Sequence, residues 1–404
     1  MQEIYVGLDI GSHSTRVAIA EERIGGEINL IGIGECRSEG GVRGNIVNID
    51  KAHKAVVKAL SDAEKMADVE VKEAFIAVGG DRLRTFSSRG ITAIHKDREA
   101  ITATDVSDVL RAARAVVIPP EAVIVDSVVR EFLVDGQGGI TDPIGMNGVR
   151  MEADVGLLMA PKSTLDNLER TAERSGIIPN GQAAIIHGEG LATLTPDEAE
   201  IGVVIIDIGA GTTEVGVFLR GTLVWGYSFG YAGESITKDM TVGLSLPFET
   251  AEQLKLDFGS AIEDNVDPGD VVSIPGIGGR EARSVACRFL SHIIEPRIEE
   301  ILQLCKDAIF DAGYLNRLSA GIVLTGGTSS MKDIVKLAER VFEMPVRSGA
   351  PNLQGDVPDL ARSPYFSGAI GAVLMASERK HRLDLYEDKG GVWSKIRRWF
   401  VKRI

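Results

Sequence analysis

Two segments of this chain superimpose at a constant offset of 198 residues: VGLDIGSHSTRVAIA (6–20) and VIIDIGAGTTEVGVF (204–218). Asp9 meets Asp207, Ile10 meets Ile208, Gly11 meets Gly209, Thr15 meets Thr213 and Val17 meets Val215. Each copy is an apolar run, a Gly-rich turn and a second run that alternates with a period of two. That pattern predicts strand, tight turn, strand. A chain of 404 residues with such a repeat is constrained to two related α/β halves.

A third Gly-rich turn follows an apolar strand at 321–334 (GIVLTGGTSSMKDI) and leads into a helix. Around these turns, Ile4–Ile10, Thr15–Ala20 and Glu27–Gly34 read as strands. Residues 50–67 have helical spacing with Val56, Val57, Leu60, Ala63 and Met66 or Ala67 on one side, capped by Asp50 or a neighbour. Phe75–Val78 is a strand ended by Gly79-Gly80. Residues 82–160 depart from the pattern: strand-like runs surround one helix at about 104–116, with DGQGGITDPIG near the middle. This predicts an inserted α+β unit. A helix over 163–175 follows.

Small residues in such turns let backbone N–H groups approach an anion. Gly11, Ser12, His13 and Ser14 form one candidate phosphate nest, and Gly209, Ala210, Gly211, Thr212 and Thr213 the other. Asp9 and Asp207, at the strand ends, suit the hydration shell of a divalent ion such as Mg²⁺, which keeps most of its waters. Glu252 and Lys255 stand three apart on one predicted helix face.

Composition excludes several other readings. With 44 basic and 58 acidic residues the net charge is −14, so nucleic acid is not an expected partner. Three scattered cysteines make no disulfide framework, and six histidines form no HExxH pair. The N-terminus has no signal-peptide pattern and no run is long enough to span a bilayer, so a cytoplasmic location is expected. The last 14 residues, GVWSKIRRWFVKRI, carry five basic and no acidic residues on an otherwise acidic chain. As a helix they place Trp393, Ile396, Trp399 and Phe400 on one apolar arc, with Arg398 and Lys402 opposite and Arg397 at its flank. Such a helix is about 21 Å long, too short and too charged to span, and suits the surface of an anionic membrane.

Taken in order, these motifs resemble the actin–Hsp70–sugar-kinase superfamily, in which two α/β lobes hold a nucleotide between them. Residues 6–20 resemble its phosphate-1 motif, 203–218 phosphate-2 and 321–334 the adenosine motif. The stretches 185–194 (IIHGEGLATL) and 365–376 (YFSGAIGAVLMA) resemble its two connecting helices. Actins carry a subdomain between the third strand and first helix. Here only about a dozen residues fill that gap, and the insertion comes after Gly80 instead. This arrangement, with VGGD, SIPGIGGREARS and the basic tail, resembles the FtsA family of bacterial cell-division actins. The pilus-assembly family PilM shares the rearrangement but is not expected to carry the tail. A sugar kinase would need a catalytic Asp and a sugar pocket that the sequence does not offer.

The resemblance implies ATP with Mg²⁺ in the cleft and at most slow hydrolysis. Gly326, Gly327, Ser329, Ser330 and Met331 would flank the adenine side, with Glu252 and Lys255 reaching the ribose and base from the opposite lobe. Glu189 would orient the attacking water. It further implies self-assembly into filaments and a peripheral position on the cytoplasmic face of the inner membrane at the division site. Arg280, Arg283 and Arg288 would contact the C-terminal tail of the tubulin-like protein FtsZ, and 82–160 other division proteins.

The domain plan expected is 1–81, 161–200 and 365–380 for the first lobe, 82–160 for the insertion, 201–230 and 306–364 for the second-lobe core, and 231–305 for its subdomain. A linker at 381–390 and the membrane-targeting helix at 391–404 complete it.

Overall fold

A computed structural model describes residues 3–23, 25–94, 100–274, 281–353 and 357–387. The expected membrane helix 391–404, the end of the linker and Arg280 lie outside these residues.

The repeat extends to whole sheets. In the first lobe the strand order is Ile178–Ala184, Glu73–Val78, Glu3–Ile10, Ser14–Glu22, Ile28–Arg37. In the second it is Val346–Ser348, Gly321–Thr325, Val203–Ile208, Thr213–Leu219, Thr222–Phe229. Each lobe therefore has an antiparallel meander whose first strand continues into parallel neighbours. The central strands read as unbroken apolar runs because helices cover both faces, leaving no wet side for alternation to mark.

Helix Ile49–Ala67 packs on the first sheet through Ala52, Ala55, Val56, Ala59, Leu60 and Ala63. The stripe is rich in alanine because the strand beneath presents Gly32 and Gly34. A Cβ on Gly34 would lie 1.8 Å from Ala59 O, so the helix sits directly on strand backbone. Val57 and Met66, expected in this stripe, are exposed. The cap is Asn48, whose side chain accepts from Lys51 N at 3.0 Å, rather than Asp50.

The inserted unit is an antiparallel sheet of Arg84–Ala93, Arg150–Pro161, Ala122–Val134 and Gln137–Ile140, backed by helix Ala103–Arg114. Its core is built on Val109, Met151 and Leu157. One pairing, Tyr227 with Arg84, joins it to the second lobe's edge, so the two form one nine-stranded sheet. The first of these strands starts at the junction itself, where Arg84 pairs with Tyr227 and Thr85 Oγ1 donates to Gly226 O at 2.9 Å.

In the second lobe, helices Gly233–Leu244, Phe248–Phe258 and Cys287–Asp311 bury Ile236, Leu254, Leu290 and Ile298 in one core. Two connecting helices, Ile185–Thr193 and Ser367–Glu387, pass between the lobes. The latter continues through 381–387, where a linker was expected. Among the described residues no helix is long and apolar enough to cross a membrane.

Candidate functional site

The two matched turns face each other across the cleft, each closed by the same bond. Gly11 N–H donates to Ser14 O at 3.0 Å, and Gly209 N–H donates to Thr212 O at 3.0 Å. Between them lies a cavity of about 600 Å³. Gly11, Ser12, His13 and Ser14 line one wall, and Gly209, Ala210, Gly211 and Thr212 the other. Gly326, Gly327, Ser330 and Met331 line it too, as do Glu252 and Lys255 of the same lobe. Asp9, Asp207 and Glu189 line it as well.

Two expected residues are not in the wall. Thr213 is fully buried, and its hydroxyl donates to Tyr231 O at 2.8 Å. Strand alternation turns it away from the cleft. Ser329 is also buried, with Oγ donating to Gly326 O at 2.6 Å; it tightens the turn instead of lining the cavity.

Gly326 cannot be replaced without moving the site. Its φ is +82°, and a Cβ there would fall 1.7 Å from Asp207 Oδ1. The acid and the adenine-side turn are therefore in direct register, held by parallel pairing of Asp207 with Thr325.

Four carboxylates converge without enough donors. Asp9, Glu189, Asp207 and Glu214 are all buried. Burial first, and the neighbouring acids second, raise Glu189 and Glu214 well above the ordinary carboxylate range. The same causes raise Asp207 to about 7. Asp9 is raised by burial, an effect opposed by Arg16. Arg16 Nη1 lies 3.4 Å from Asp9 Oδ2, and its Nε 3.4 Å from Glu35 Oε1. Glu189 Oε2, Asp207 Oδ1 and Glu214 Oε2 are buried with no hydrogen-bond partner.

Orphaned acceptors crowded at one place fit a cation with its own protons to donate, such as water-clad Mg²⁺. Among the described residues no three His, Cys, Asp or Glu side chains are grouped as a direct metal-ligand set.

On helix Phe248–Phe258, Lys255 Nζ contacts Glu252 Oε2 at 2.7 Å, Thr237 Oγ1 at 2.9 Å and Gly233 O at 3.0 Å. Burial lowers the Lys255 pKa, while Glu252 opposes that shift. Across the cleft mouth Arg37 Nη2 donates to both Glu249 oxygens at 2.6 Å, bridging the lobes.

Sequence reasoning missed Arg16, Glu214, Gly44 and Tyr365, all of which line the cavity. Arg16 and Glu214 were within reach. They occupy equivalent places in the repeat, each directly across the hairpin from its aspartate. Tyr365, whose ring lies 5.3 Å from the Arg16 guanidinium, has no such signal because its position is set by tertiary packing.

The arginine cluster is less open than expected. Arg283 Nη2 donates to Leu244 O at 2.5 Å, and Arg288 binds Glu263 at 3.1 Å and Asp264 at 2.6 Å. Both bond within their own lobe, Arg283 to a backbone carbonyl and Arg288 to two acids.

Residues 204–371 match the family model for cell division protein FtsA, and residues 80–159 match that for the SHS2 domain inserted in FtsA. The chain is 35% identical over 408 residues to cell division protein FtsA of Neisseria meningitidis serogroup B, covering 98% of each. It is 32% identical to that of Escherichia coli K12, covering 100% of this chain and 97% of the relative. It is 35% identical to that of Bacillus subtilis 168, covering 93% and 83%. Among solved structures, PilM in the PilM–PilN type IV pilus biogenesis complex shares the fold, with a TM-score of 0.64 at 14% identity, covering 92% of this chain and 98% of that one. MreB5 of Spiroplasma citri bound to AMPPNP does so with a TM-score of 0.54 at 13% identity, covering 95% and 98%. Sheet duplication, inserted domain and near full-length relatives agree, and the chain belongs to the FtsA family of actin-like cell-division proteins.

Proposed function

We propose that this chain binds ATP with Mg²⁺ between its lobes and works as an assembling actin-like subunit that organises division proteins at the membrane. One observation carries the nucleotide reading: two superimposable Gly-rich turns face each other over a cavity into which unpartnered carboxylate oxygens project. Backbone N–H groups of Gly11–Ser14 and Gly209–Thr212 cradle the phosphates, and Arg16 adds a cation beside the first turn. The metal, held through water by Asp9 and Asp207, supplies charge neutralisation to the phosphates. Glu252 and Lys255 close on the ribose and base against Gly326, Gly327 and Met331. Glu189, buried and raised in pKa, is placed to orient a water and hold its proton.

Family membership supports filament formation, FtsZ as a partner at the 231–305 subdomain, and further division proteins at 82–160. In that role Arg288, half-exposed beside Phe289, trades its internal acids for carboxylates of the FtsZ tail. The tail 391–404 anchors the chain peripherally to the inner face of the cell membrane through Trp393, Ile396, Trp399 and Phe400, with Arg397, Arg398 and Lys402 on anionic headgroups. Five basic residues contribute roughly 5 kcal/mol at most. Equilibrium binding of a fluorescent ATP analogue, with and without Mg²⁺, tests the site. Affinity unchanged in both Asp9→Ala and Asp207→Ala overturns it. Flotation with anionic vesicles tests the anchor: truncation at Gly390 should abolish it.

A further inference from the structure

The stretch His187-Gly188-Glu189-Gly190 sets four consecutive residues against four different neighbours on the short helix Ile185–Thr193. His187 Nδ1 lies 2.7 Å from Asp126 Oδ2, on strand Ala122–Val134 of the inserted domain. The pair is almost out of water, its side chains 12% and 11% exposed. A Cβ on Gly188 would lie 2.8 Å from Gly371 C, and one on Gly371 would lie 2.3 Å from Gly188 C. The two connecting helices thus touch backbone to backbone at that point. Glu189 lines the cavity, and Gly190 lies beneath the Phe218 ring, where a Cβ would meet Cζ at 2.0 Å.

At 3.6 residues per turn, positions 187 and 189 fall on nearly opposite sides of the helix. One side holds the inserted domain and the other holds the candidate water-orienting acid, with a glycine contact between them. The N-terminal end of this helix has no side-chain cap, while at its C-terminal end Arg347 Nη2 donates to Thr193 O at 3.0 Å. A nine-residue helix carries both side chains on one hydrogen-bonded backbone, so a shift of that backbone at His187 is passed to Glu189 two residues on. Placement errors of about 1 Å at a reacting group change rates by orders of magnitude.

The groups facing the pair are few. Asp126 is bonded to His187 and flanked electrostatically by the guanidiniums of Arg114 and Arg379. Arg114 is itself fixed, with Nε donating to Ser127 Oγ at 3.0 Å.

We propose that the Asp126–His187 contact is a positioning contact, through which the inserted domain sets the placement of Glu189 in the nucleotide cleft. By reciprocity, nucleotide in the cleft alters the inserted domain through the same contact. The proposal rests on the nucleotide reading above and on Glu189 as the water-orienting residue.

The experiment uses the full chain. Amide hydrogen exchange of strand 122–134 is compared with and without Mg·ATP in wild type, His187→Ala, Asp126→Ala and His187→Gln, alongside ATP affinity and turnover. Expected in wild type is slower exchange in the strand when Mg·ATP binds. His187→Ala and Asp126→Ala should each lose that response and about tenfold in turnover, with ATP affinity within twofold of wild type. His187→Gln, which can still donate to Asp126, should restore both. The variant carrying both alanines should lose no more than either alone, the non-additivity that marks a shared contact.

A wild-type strand that ignores Mg·ATP overturns the proposal, as does a response that survives both alanine variants. Parallel loss of affinity, thermal stability and turnover in both alanine variants assigns the pair to structure alone and overturns it too. Failure of the underlying reading shows separately: either wild type binds no Mg·ATP, or Glu189→Gln leaves turnover intact.

Discussion

The turn at Asp9 and the turn at Asp207 share fold, register and closing hydrogen bond, yet differ in the charge that stands opposite the aspartate. Asp9 pairs across its hairpin with Arg16, whereas Asp207 pairs with Glu214. In the first turn the acid has a cation 3.4 Å away. In the second, two acids face each other, Asp207 rises to about 7, and one oxygen of each lacks a partner. Duplication supplies the geometry of a symmetric clamp, and the divergence of Arg16 from Glu214 gives its two sides different charge. The first turn sets a cation beside its acid, and the second leaves its two acids without one.

The largest effects should come from breaking the second turn. Asp207→Ala removes a carboxylate from the cation's shell and should lower Mg²⁺-dependent ATP affinity about 100-fold, the upper range for outer-shell ligands. Asp9→Ala, whose acid is already partly neutralised by Arg16, should lose only about 10-fold. Titration of a fluorescent ATP analogue at fixed Mg²⁺ measures both; equal losses would mean that the two turns share the metal evenly. Gly326→Ala should resemble Asp207→Ala, since its methyl group displaces Asp207 Oδ1.

Next comes pH. A carboxyl raised in the folded state keeps a proton that the unfolded chain gives up. Stability is then highest below the unfolded value and falls as pH rises through the folded one. For Asp207 that window runs from its ordinary value of 3.8 to about 7. The nucleotide-free protein should therefore melt at least roughly 2–4 °C lower at pH 8 than at pH 5 from this cluster. Glu214→Gln should flatten that slope by removing a like charge, while Mg·ATP should reverse it. A slope unchanged in Glu214→Gln would detach the pH response from the second turn. Arg16→Gln isolates the other turn: ATP affinity should fall about tenfold with the Mg²⁺ requirement intact.

Much of this site could be read from the residues, for a definite reason. The 198-residue offset fixed both turns and both aspartates, because a Gly-rich turn between two strands has few other uses when it occurs twice. Helical spacing put Glu252 and Lys255 on one face, and the family resemblance put that face at the cleft. What escaped notice depends on contacts distant in sequence. The hydroxyl of Thr213 was assigned by its place in the motif, but strand alternation directs it to Tyr231 O. The glycines around Glu189 were visible; that they seat the helix against Gly371 and Phe218 was not. The strand Ile178–Ala184, interrupted by Pro179 and Gly181, carries too weak a pattern to stand out; its parallel partner, Glu73–Val78, defines it.

The smallest effect sharpens the comparison most, because it concerns residues that the repeat makes identical. Thr15 and Thr213 occupy equivalent positions, both fully buried. Thr15 Oγ1 bonds Ser38 Oγ at 2.8 Å, and Thr213 Oγ1 donates to Tyr231 O at 2.8 Å. Each hydroxyl ties its turn to a different following segment and touches no part of the cavity. Valine keeps the shape and removes the bond. Thr15→Val and Thr213→Val should thus each cost about 1 kcal/mol of stability, measured by denaturant melts, with no change in ATP affinity. The partners differ, however. The Ser38 hydroxyl can rotate toward another acceptor, whereas the Tyr231 carbonyl is fixed in the chain. Thr213→Val should therefore be the costlier of the two, and a loss of ATP affinity in it alone would return Thr213 to the phosphate wall.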